Sequence, residues 1–279
     1  MKTKIPLTLA LLLSLLLLGC TQTKTDSGRR TVTVTIEPLR YFTERIAGDR
    51  FDVRTMVPSG ANPETYEPTA QQMAGLAASD LYIQVGSIGF ERTWMKRLET
   101  NAPHAIFVDS STGITLTQSA DGITDPHTWM SAANARLIAT NICRALTRID
   151  QRDSLYFKQN LAQLIAEIDR VDEEVKLTLA KAPTRTFLIY HPILTYFARD
   201  YGLTQIPMEQ EGREPSAAQL QDVISSARRQ GARIFFVQKE FGEHNIDLVA
   251  RSTGTRKQPI NPLGYDWAKE MTNIANCLK

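Results

Sequence analysis

The stretch DSLYFKQNLAQLIAEIDRVDEEVKLTLAK, residues 153–181, predicts one long helix in the middle of the chain. Its apolar residues recur at three- and four-residue intervals, which is typical of a single continuous buried face. They are Leu161, Leu164, Ile165, Ile168, Val171, Val175 and Leu179. At ~1.5 Å per residue, the helix would be on the order of 40 Å long, comparable to the diameter of a small domain. It can therefore either join two lobes as a rigid strut or pack along a single domain.

On the N-terminal side of this helix, strand-like and helix-like stretches alternate. Strands are predicted at 31–36, 51–57, 81–85 and 105–109, and helices at 39–46, 70–78, 90–98 and 132–149. The first strand alternates threonine with apolar residues, as a half-buried strand does. Thr69 is placed to cap the helix that begins at residue 70. Such alternation favours an α/β lobe whose parallel sheet is covered on both faces.

The same alternation resumes after Pro183, where the long helix is predicted to end. Strands are predicted at 186–190, 233–237 and 258–260, and helices at 193–201, 217–230, 244–252 and from Asp266 onward. The fold class is therefore α/β, with a second α/β lobe following the long helix.

The first 30 residues have the pattern of a targeting segment. Lys2 and Lys4 precede an apolar run at 5–18, which has the charge order and length of a secretory signal but is too short for a spanning helix. The run ends in Leu-Leu-Gly-Cys at 17–20, which resembles the bacterial lipobox, whose cysteine is lipidated. We therefore expect a lipoprotein signal peptide at 1–19 and a lipidated Cys20 with a polar tether at 20–30. The alternative is an ordinary signal with an incidental cysteine.

The composition excludes some classes of partner. With 279 residues and 42% hydrophobic content, the chain can bury a core. Its formal net charge is only +2, and its lysines and arginines form no basic stripe interleaved with aromatic residues. A nucleic-acid partner is therefore not expected. Cys143 and Cys277 each lie in a helical pattern and are interpreted as small buried hydrophobes rather than as a disulfide.

Three side chains form a candidate metal site. Glu64, His127 and His191 each follow a strand-like run, and they can converge if two sheets face one cleft. Two imidazoles and a carboxylate suit Zn²⁺ in tetrahedral geometry at ~2.0–2.2 Å. The same donors with open positions also suit Fe²⁺. The protein is then interpreted as a metal carrier rather than a catalyst.

Each of these residues has an alternative role. A histidine after a strand can be a hydrogen-bonded structural residue, and Glu64 can be a solvated loop residue or a helix cap. His104 and His244 are expected at the surface. Three aromatic residues are expected to pack the walls of the cleft rather than to touch the ion: Tyr66, Trp129 and Tyr196.

Many short motifs in order resemble one family, the metal-specific solute-binding proteins of bacterial ABC transporters that carry zinc or manganese. They include Ile36-Glu37-Pro38-Leu39, Gly60-Ala61-Asn62-Pro63 with Tyr66-Glu67-Pro68, Asp125-Pro126-His127-Thr128-Trp129, Tyr190-His191, Glu214-Pro215-Ser216 and Asn261-Pro262-Leu263. The resemblance implies two α/β lobes with parallel sheets, at 31–151 and 183–279, joined by one rigid helix at 152–182. It also implies a metal site in the cleft between the lobes.

The ligand positions of the family are only partly matched in this sequence. His127 and His191 fall where the family has histidine ligands, whereas Glu64 stands where it usually has another histidine. Asn261 stands in place of a common aspartate ligand, so the fourth position falls to Asn261, to water, or to another side chain of the preceding loop. Those other side chains are Glu240 and Gln238. Glu211 and Glu214 are expected at the cleft rim, where they would accept hydrogen bonds from the histidine rings.

The resemblance implies an extracytoplasmic carrier that binds a divalent metal and hands it to an ABC permease. Zinc is expected first, with Mn²⁺ or Fe²⁺ as alternatives, in a monomer anchored to the periplasmic or extracellular side of a membrane in the cell envelope. Two other classes stay open: an adhesin or scaffold with a structural metal, and a zinc hydrolase. The hydrolase would need a general base beside a metal-bound water, and the chain has no His-Glu-x-x-His motif.

Overall fold

The computed structural model describes residues 29–118, 122, 124–209, 215–240 and 245–279. The predicted signal peptide at 1–19, the lipidation site Cys20 and most of the tether lie outside these residues. No helix among the described residues has both the length and the apolar character needed to cross a membrane.

The first lobe is defined by the elements between residues 30 and 109 together with the following loop that carries His127, and it contains four strands and three helices. The strands are β1 Arg30–Val34, β2 Phe51–Thr55, β3 Leu81–Gln84 and β4 Ile106–Asp109, and the helices are α1 Glu37–Ala47, α2 Ala70–Ala77 and α3 Gly89–Asn101. All strand pairs are parallel, in the order β2-β1-β3-β4. Thr69 caps α2 in a reciprocal arrangement with Gln72, which confirms the predicted cap.

The expectation that β1 is half-buried is wrong, because both of its faces are covered. Thr31 and Thr33 are 7% and 3% exposed, and Thr35 just beyond the strand is fully buried. Hydrogen bonds compensate for burying these hydroxyls: Thr33 Oγ1 lies 2.6 Å from Ser79 Oγ, and Thr35 Oγ1 lies 2.9 Å from the Tyr82 hydroxyl. Threonine therefore alternates here in a strand that is buried from Thr31 to Val34.

The second lobe, defined by the elements between residues 186 and 260, repeats the strand order of the first. Its strands are β5 Thr186–Ile189, β6 Thr204–Pro207, β7 Ile234–Gln238 and β8 Arg256–Ile260, and their order β6-β5-β7-β8 is again entirely parallel. The helices of this lobe are α6 Thr195–Tyr201, α7 Ala217–Arg229 and α8 Ile246–Thr253. Strand β6 is not predicted from the sequence. The two parallel sheets confirm the predicted α/β class.

Two helices, α4 Ala132–Ile149 and α5 Ser154–Leu179, follow the first lobe, and α9 Trp267–Leu278 follows the second. Helix α5 has 26 residues, so at ~1.5 Å per residue it spans roughly 39 Å. Its buried residues are Phe157, Leu164, Ile168, Val171, Val175 and Leu179. It packs on α1, α4 and α9, so its buried stripe contacts helices that lie before and after it in the chain. The exact domain boundaries stay a prediction.

One continuous apolar cluster runs through both lobes and the helices between them. It includes Phe42 of the first lobe, Leu164 of α5, Phe236 of the second sheet and Trp267 of α9. A smaller cluster lies between the second sheet and α7 and α8. Cys143 is buried and Cys277 is only partly buried, and both are free cysteines.

Two buried indoles connect the C-terminal segment to the loop that precedes α4. Trp129 Nε1 donates to the carbonyl of Pro262 at 2.9 Å, and Trp267 Nε1 donates to the carbonyl of Trp129 at 2.7 Å. The Trp267 ring also packs against Phe42, with 5.3 Å between ring centroids. These reciprocal contacts hold the two lobes in one arrangement around α5.

Candidate metal centre

Two histidines from different lobes meet in the cleft. His191 follows β5, and His127 lies on the loop between β4 and α4. Their rings are almost completely buried, at 4% exposure for His127 and 6% for His191. The two Nε2 atoms are 3.3 Å apart, and the ring planes are inclined by 84°. Burial, proximity and origin in separate lobes make this pair the centre of the candidate site.

The His127 ring is oriented by a carboxylate of its own loop. Asp125 Oδ1 accepts a hydrogen bond from the His127 backbone N–H at 2.8 Å and lies 2.9 Å from His127 Nδ1. Burial alone would raise the pKa of Asp125, but the neighbouring His127 ring and the bonds from His127 and Thr195 bring that pKa below its ordinary value. Trp129 packs edge-on against the His127 ring, with 5.4 Å between ring centroids.

The His191 ring is oriented in the same way by the second lobe. Glu209 Oε1 lies 3.2 Å from His191 Nδ1, and Glu209 itself is only 4% exposed. Strand β6 delivers this carboxylate, because the Glu209 backbone N–H continues the strand pairing by donating to Tyr190 O at 2.9 Å. The Gln238 side chain holds the main chain of His191 through two hydrogen bonds. Its Nε2 donates to His191 O at 2.8 Å, and its Oε1 accepts from His191 N at 3.3 Å.

The hydrogen bonds at Nδ1 determine what the two Nε2 atoms offer. A neutral imidazole that donates from Nδ1 to a carboxylate has an unprotonated Nε2. With both rings in this tautomer, two lone pairs face each other and neither ring can donate to the other, whereas a cation can accept both. Burial lowers the pKa of His191, although Glu209 and Glu64 act in the opposite direction. The neutral, metal-binding form of this ring is therefore favoured at neutral pH.

The separation of the nitrogens matches a tetrahedral metal site. Two nitrogens bound to one zinc ion at about 2.0–2.1 Å with a tetrahedral angle lie about 3.3–3.4 Å apart. The observed Nε2–Nε2 distance is 3.3 Å. The cleft thus holds the two rings at the spacing that a shared ion requires.

The third predicted ligand, Glu64, is bound elsewhere in this structure. Its Oε1 accepts from the backbone N–H of Gly89 at 3.4 Å, and its Oε2 pairs with Arg92 Nη2 at 3.3 Å. The carboxylate is nevertheless close enough for its charge to act on the pKa of His191. Across the described ranges, no three His, Cys, Asp or Glu side chains form a group that could hold a metal ion together.

The predicted candidates for the fourth position differ in their surroundings. Asn261 Oδ1 and Glu240 Oε2 are buried atoms without a hydrogen-bond partner in the described part of the chain. The Asn261 backbone N–H donates to Glu270 Oε1 at 2.7 Å, and burial raises the pKa of both Glu240 and Glu270. Gln238 is occupied by its contacts with His191. Glu214, together with Glu211 and His244, lies outside the described residues.

The three aromatic residues are buried or partly buried, and their role beside an ion stays a prediction. Tyr196 is buried, and its hydroxyl donates across the cleft to Asp125 O at 2.8 Å. Tyr66 is partly buried and packs beside Phe90. His104 is exposed, which confirms its predicted place at the surface.

Sequence reasoning missed Asp125 and Glu209 as the residues that orient the histidines. Asp125 stands in the quoted Asp125-Pro126-His127 motif, where an aspartate two residues before a histidine can accept a hydrogen bond from its backbone. This was the available signal. Glu209 had none, because it depends on the unpredicted strand β6.

The family model for "Zinc-uptake complex component A periplasmic", ZnuA, matches residues 32–278. The chain belongs to the ZnuA family. A crystal structure of ZnuA superposes on this family member with a TM-score of 0.85 and 35% sequence identity, covering 89% of this chain and 97% of the other. These are substrate-binding components of transport systems and not enzymes.

Curated relatives include the high-affinity zinc uptake system protein ZnuA of Bacillus subtilis (strain 168), which is 27% identical over 83% of this chain and 78% of that protein. The manganese ABC transporter substrate-binding lipoprotein PsaA of Streptococcus pneumoniae is also 27% identical, over 90% of this chain and 86% of its own length. The zinc-binding lipoprotein AdcA of the same species is 25% identical, and this ZnuA-family chain spans 55% of its length.

Proposed function

We propose that the protein captures Zn²⁺ between His127 and His191 and delivers it to an ABC permease for import. The observation that carries this proposal is the 3.3 Å separation of two buried Nε2 atoms, contributed by different lobes. Carboxylates hold both rings at Nδ1, which orients Nε2 toward a shared ion. Membership of the ZnuA family and the zinc-uptake relative from B. subtilis support the same function.

In this proposal Glu64 supplies a third donor and Asn261 Oδ1, Glu240 or water a fourth. Glu64 would leave Gly89 and Arg92 to reach the ion, and its charge already acts on the pKa of His191. Two imidazoles with one carboxylate favour zinc, since manganese prefers a larger share of oxygen ligands. Mn²⁺ and Fe²⁺ remain the alternative cargoes, and the manganese relative supports including Mn²⁺ in any competition experiment.

Because the two rings come from separate lobes, the bound ion favours the closed arrangement. Helix α5 and the Trp129–Trp267 contacts restrict the lobes to small displacements, so a shift of a loop or a slight tilt suffices to break the pair. We infer that the permease releases the ion by separating His127 from His191.

We further propose that the protein is a monomer anchored in the cell envelope through lipidated Cys20. The lipobox-like segment and the lipoproteins among its relatives support the anchor. Cys20→Ser should move the protein from the detergent phase to the aqueous phase in a Triton X-114 partition. Equal partitioning of variant and parent would refute the anchor.

Zinc titration of His127→Ala and His191→Ala tests the site, with His104→Ala as the matched control because His104 is exposed. Loss of either ligand should weaken zinc binding by more than the roughly 10- to 100-fold that loss of an outer-shell partner costs. The control should bind like the parent. Parental affinity in either ligand variant would reject the site.

The exchange rate of the metal separates transport from the structural-metal alternative. A carrier exchanges its ion while folded, whereas a structural ion is released only on unfolding. A chelator should therefore strip the metal while the far-ultraviolet circular dichroism stays unchanged. Release that occurs only with loss of this signal would favour a scaffold or adhesin.

A further inference from the structure

The Glu64 carboxylate lies in a notch at the N-terminus of α3. Gly89, the first residue of that 13-residue helix, donates its backbone N–H to Glu64 Oε1, and Arg92 contacts Glu64 Oε2 from the next turn. A helix N-terminus stabilises a carboxylate through its unpaired N–H groups and its dipole. The Arg92 guanidinium is itself held, since Nη1 donates to Ser87 O at 2.6 Å.

Gly89 leaves the space that the carboxylate occupies. A Cβ at this position would lie 2.1 Å from Glu64 Oε2 and 2.8 Å from its carboxyl carbon. Any other residue at 89 would therefore force the carboxylate out of the notch. The glycine, the helix terminus and the arginine together form a resting place for the Glu64 side chain that is separate from the histidine pair.

Ligation of a metal and binding in the notch compete for the Glu64 carboxylate, whose two oxygens both have partners in the notch. Arg92 Nη2 occupies Glu64 Oε2, so a cation that recruits this oxygen must displace the guanidinium. The positive charge of Arg92 also opposes the approach of a divalent ion. The side chain of Arg92 is 56% exposed, so the pair is partly screened by solvent and its effect is modest.

We infer that Arg92 sets the metal affinity of the site by holding Glu64 in the notch of Gly89 and α3. This inference rests on the proposed function, in which Glu64 is the third donor. Arg92 then lowers the affinity for zinc, which favours release of the ion once the lobes are displaced. It is a positioning residue, because it acts only through Glu64.

Competitive zinc titration at fixed ionic strength tests this inference with Arg92→Gln. The matched control is Lys96→Gln, which removes the same charge from an exposed residue one turn further along α3. Exposed ion pairs contribute about 0.4–1 kcal/mol at the upper end of their range, so Arg92→Gln should tighten zinc binding roughly two- to fivefold. Lys96→Gln should leave the affinity at the parental value, and Arg92→Lys, which keeps the charge, should restore affinity close to the parent.

A double-mutant cycle with Glu64→Gln shows whether Arg92 acts through Glu64. Glu64→Gln should weaken zinc binding, and adding Arg92→Gln to it should then have no effect. The inference is overturned if Arg92→Gln fails to tighten binding, if Lys96→Gln tightens it equally, if Arg92→Gln retains its full effect in the Glu64→Gln background, or if Glu64→Gln binds like the parent. Failure of the proposed function is distinct from these outcomes, because it appears as parental affinity in His127→Ala or His191→Ala.

Discussion

Asp125 and Glu209 give the two histidines the same chemical environment although they belong to different lobes. Each carboxylate binds the Nδ1 side of one ring, so both Nε2 atoms point into the cleft. Outer partners of this kind fix the tautomer and raise the basicity of a metal ligand. The geometry of the histidine pair is therefore fixed by two further side chains, which need not touch an ion themselves.

Replacing either carboxylate by its amide should weaken zinc binding without unfolding the protein. Asp125→Asn and Glu209→Gln each remove a negative acceptor, and losses of about 10- to 100-fold are typical of such partners. Asp222→Asn on the exposed side of α7 is the control and should bind normally. Isothermal titration with zinc measures all three, and parental affinity in both amide variants would contradict the role of the carboxylates.

Asn261→Asp should tighten zinc binding if residue 261 supplies the fourth donor. Its Oδ1 is buried, and a full charge would replace a dipole there. Unit charges ~4 Å apart interact by roughly 4 kcal/mol at an effective dielectric constant near 20, and after desolvation we expect about a tenfold gain. Asn276→Asp, on the exposed surface of α9, is the control. An unchanged affinity in Asn261→Asp would assign the fourth position to Glu240 or water.

Glu91 should make stability depend on pH. It is 3% exposed, and burial raises its pKa to about 7, although Thr35, Val85 and Gly86 donate hydrogen bonds to it. The folded protein therefore holds this proton more tightly than the unfolded chain does. The resulting stability is fully present below the unfolded pKa of about 4.5 and is lost as pH rises through about 7.

Over that range the contribution of Glu91 should fall by about 3 kcal/mol, at 1.36 kcal/mol per pKa unit. Urea unfolding of the parent and of Glu91→Gln at pH 4.5, 6 and 8 isolates it, because glutamine does not titrate. The difference in free energy of unfolding between the two proteins should shift in favour of the variant as pH rises. A difference that stays constant across the three pH values would show that Glu91 is not responsible.

At the residue scale, the sequence identified the two histidines but not the groups that orient them. His127 and His191 stand in motifs with strong family resemblance, whereas Glu209 is brought to His191 only by strand pairing. Glu64 illustrates a second limit, because its notch depends on the absence of a side chain at Gly89 in the folded structure. Contacts between residues distant in sequence carry no local signal.

Helix α5 is the element whose sequence pattern and structure agree most closely. Leu164 is 1% exposed, and Leu177 on the same helix is 67% exposed. Leu164→Ala should therefore lower the free energy of unfolding by about 2–5 kcal/mol, since it leaves a cavity in the core. Leu177→Ala, the same change at the surface, should stay within about 0.5 kcal/mol of the parent. Equal losses in chemical denaturation would contradict the assigned helix faces.

The bounds of most helices and strands could be predicted to within a few residues, because the spacing of apolar residues and the residues at the element ends both carried a signal. Helix α4 begins and ends where its apolar pattern predicts, at Ala132 and Ile149. Strand β6 was missed because it has only four residues, Thr204–Pro207, and ends in a proline at the edge of the sheet. Proline is tolerated in an edge strand because its missing N–H is not needed there, but in a sequence it usually indicates a turn.

For the whole molecule, the shared core predicts that both lobes unfold together. The main apolar cluster passes from the first sheet through α5 to the second sheet, so neither lobe can lose its packing alone. Scanning calorimetry should show a single transition whose calorimetric and van't Hoff enthalpies agree. Two separated transitions would show that the lobes are independent.

Trp267→Phe tests the contact that joins α9 to the loop of His127. Phenylalanine keeps an aromatic ring but removes the donor to Trp129 O, leaving a buried carbonyl unpaired. Such a loss costs about 1–3 kcal/mol, so the midpoint of the single transition should fall. Trp94→Phe, on a partly exposed residue of α3, provides the matched control. Equal decreases in the transition midpoint of the two variants would show that the hydrogen bond from Trp267 to Trp129 does not contribute specially to stability.

The position of Trp267 also has a consequence for biosynthesis. Trp267 contacts both Phe42 and Trp129, and the ribosome adds it 138 residues after Trp129 and later still after Phe42, so the early part of the nascent polypeptide cannot complete its own core. Contacts between residues so remote in the chain form late and leave apolar surface exposed to chaperones in the meantime. The environment of Phe42 and Trp129 is therefore complete only after α9 has been translated, so the last helix of the chain finishes the interior that the first lobe begins.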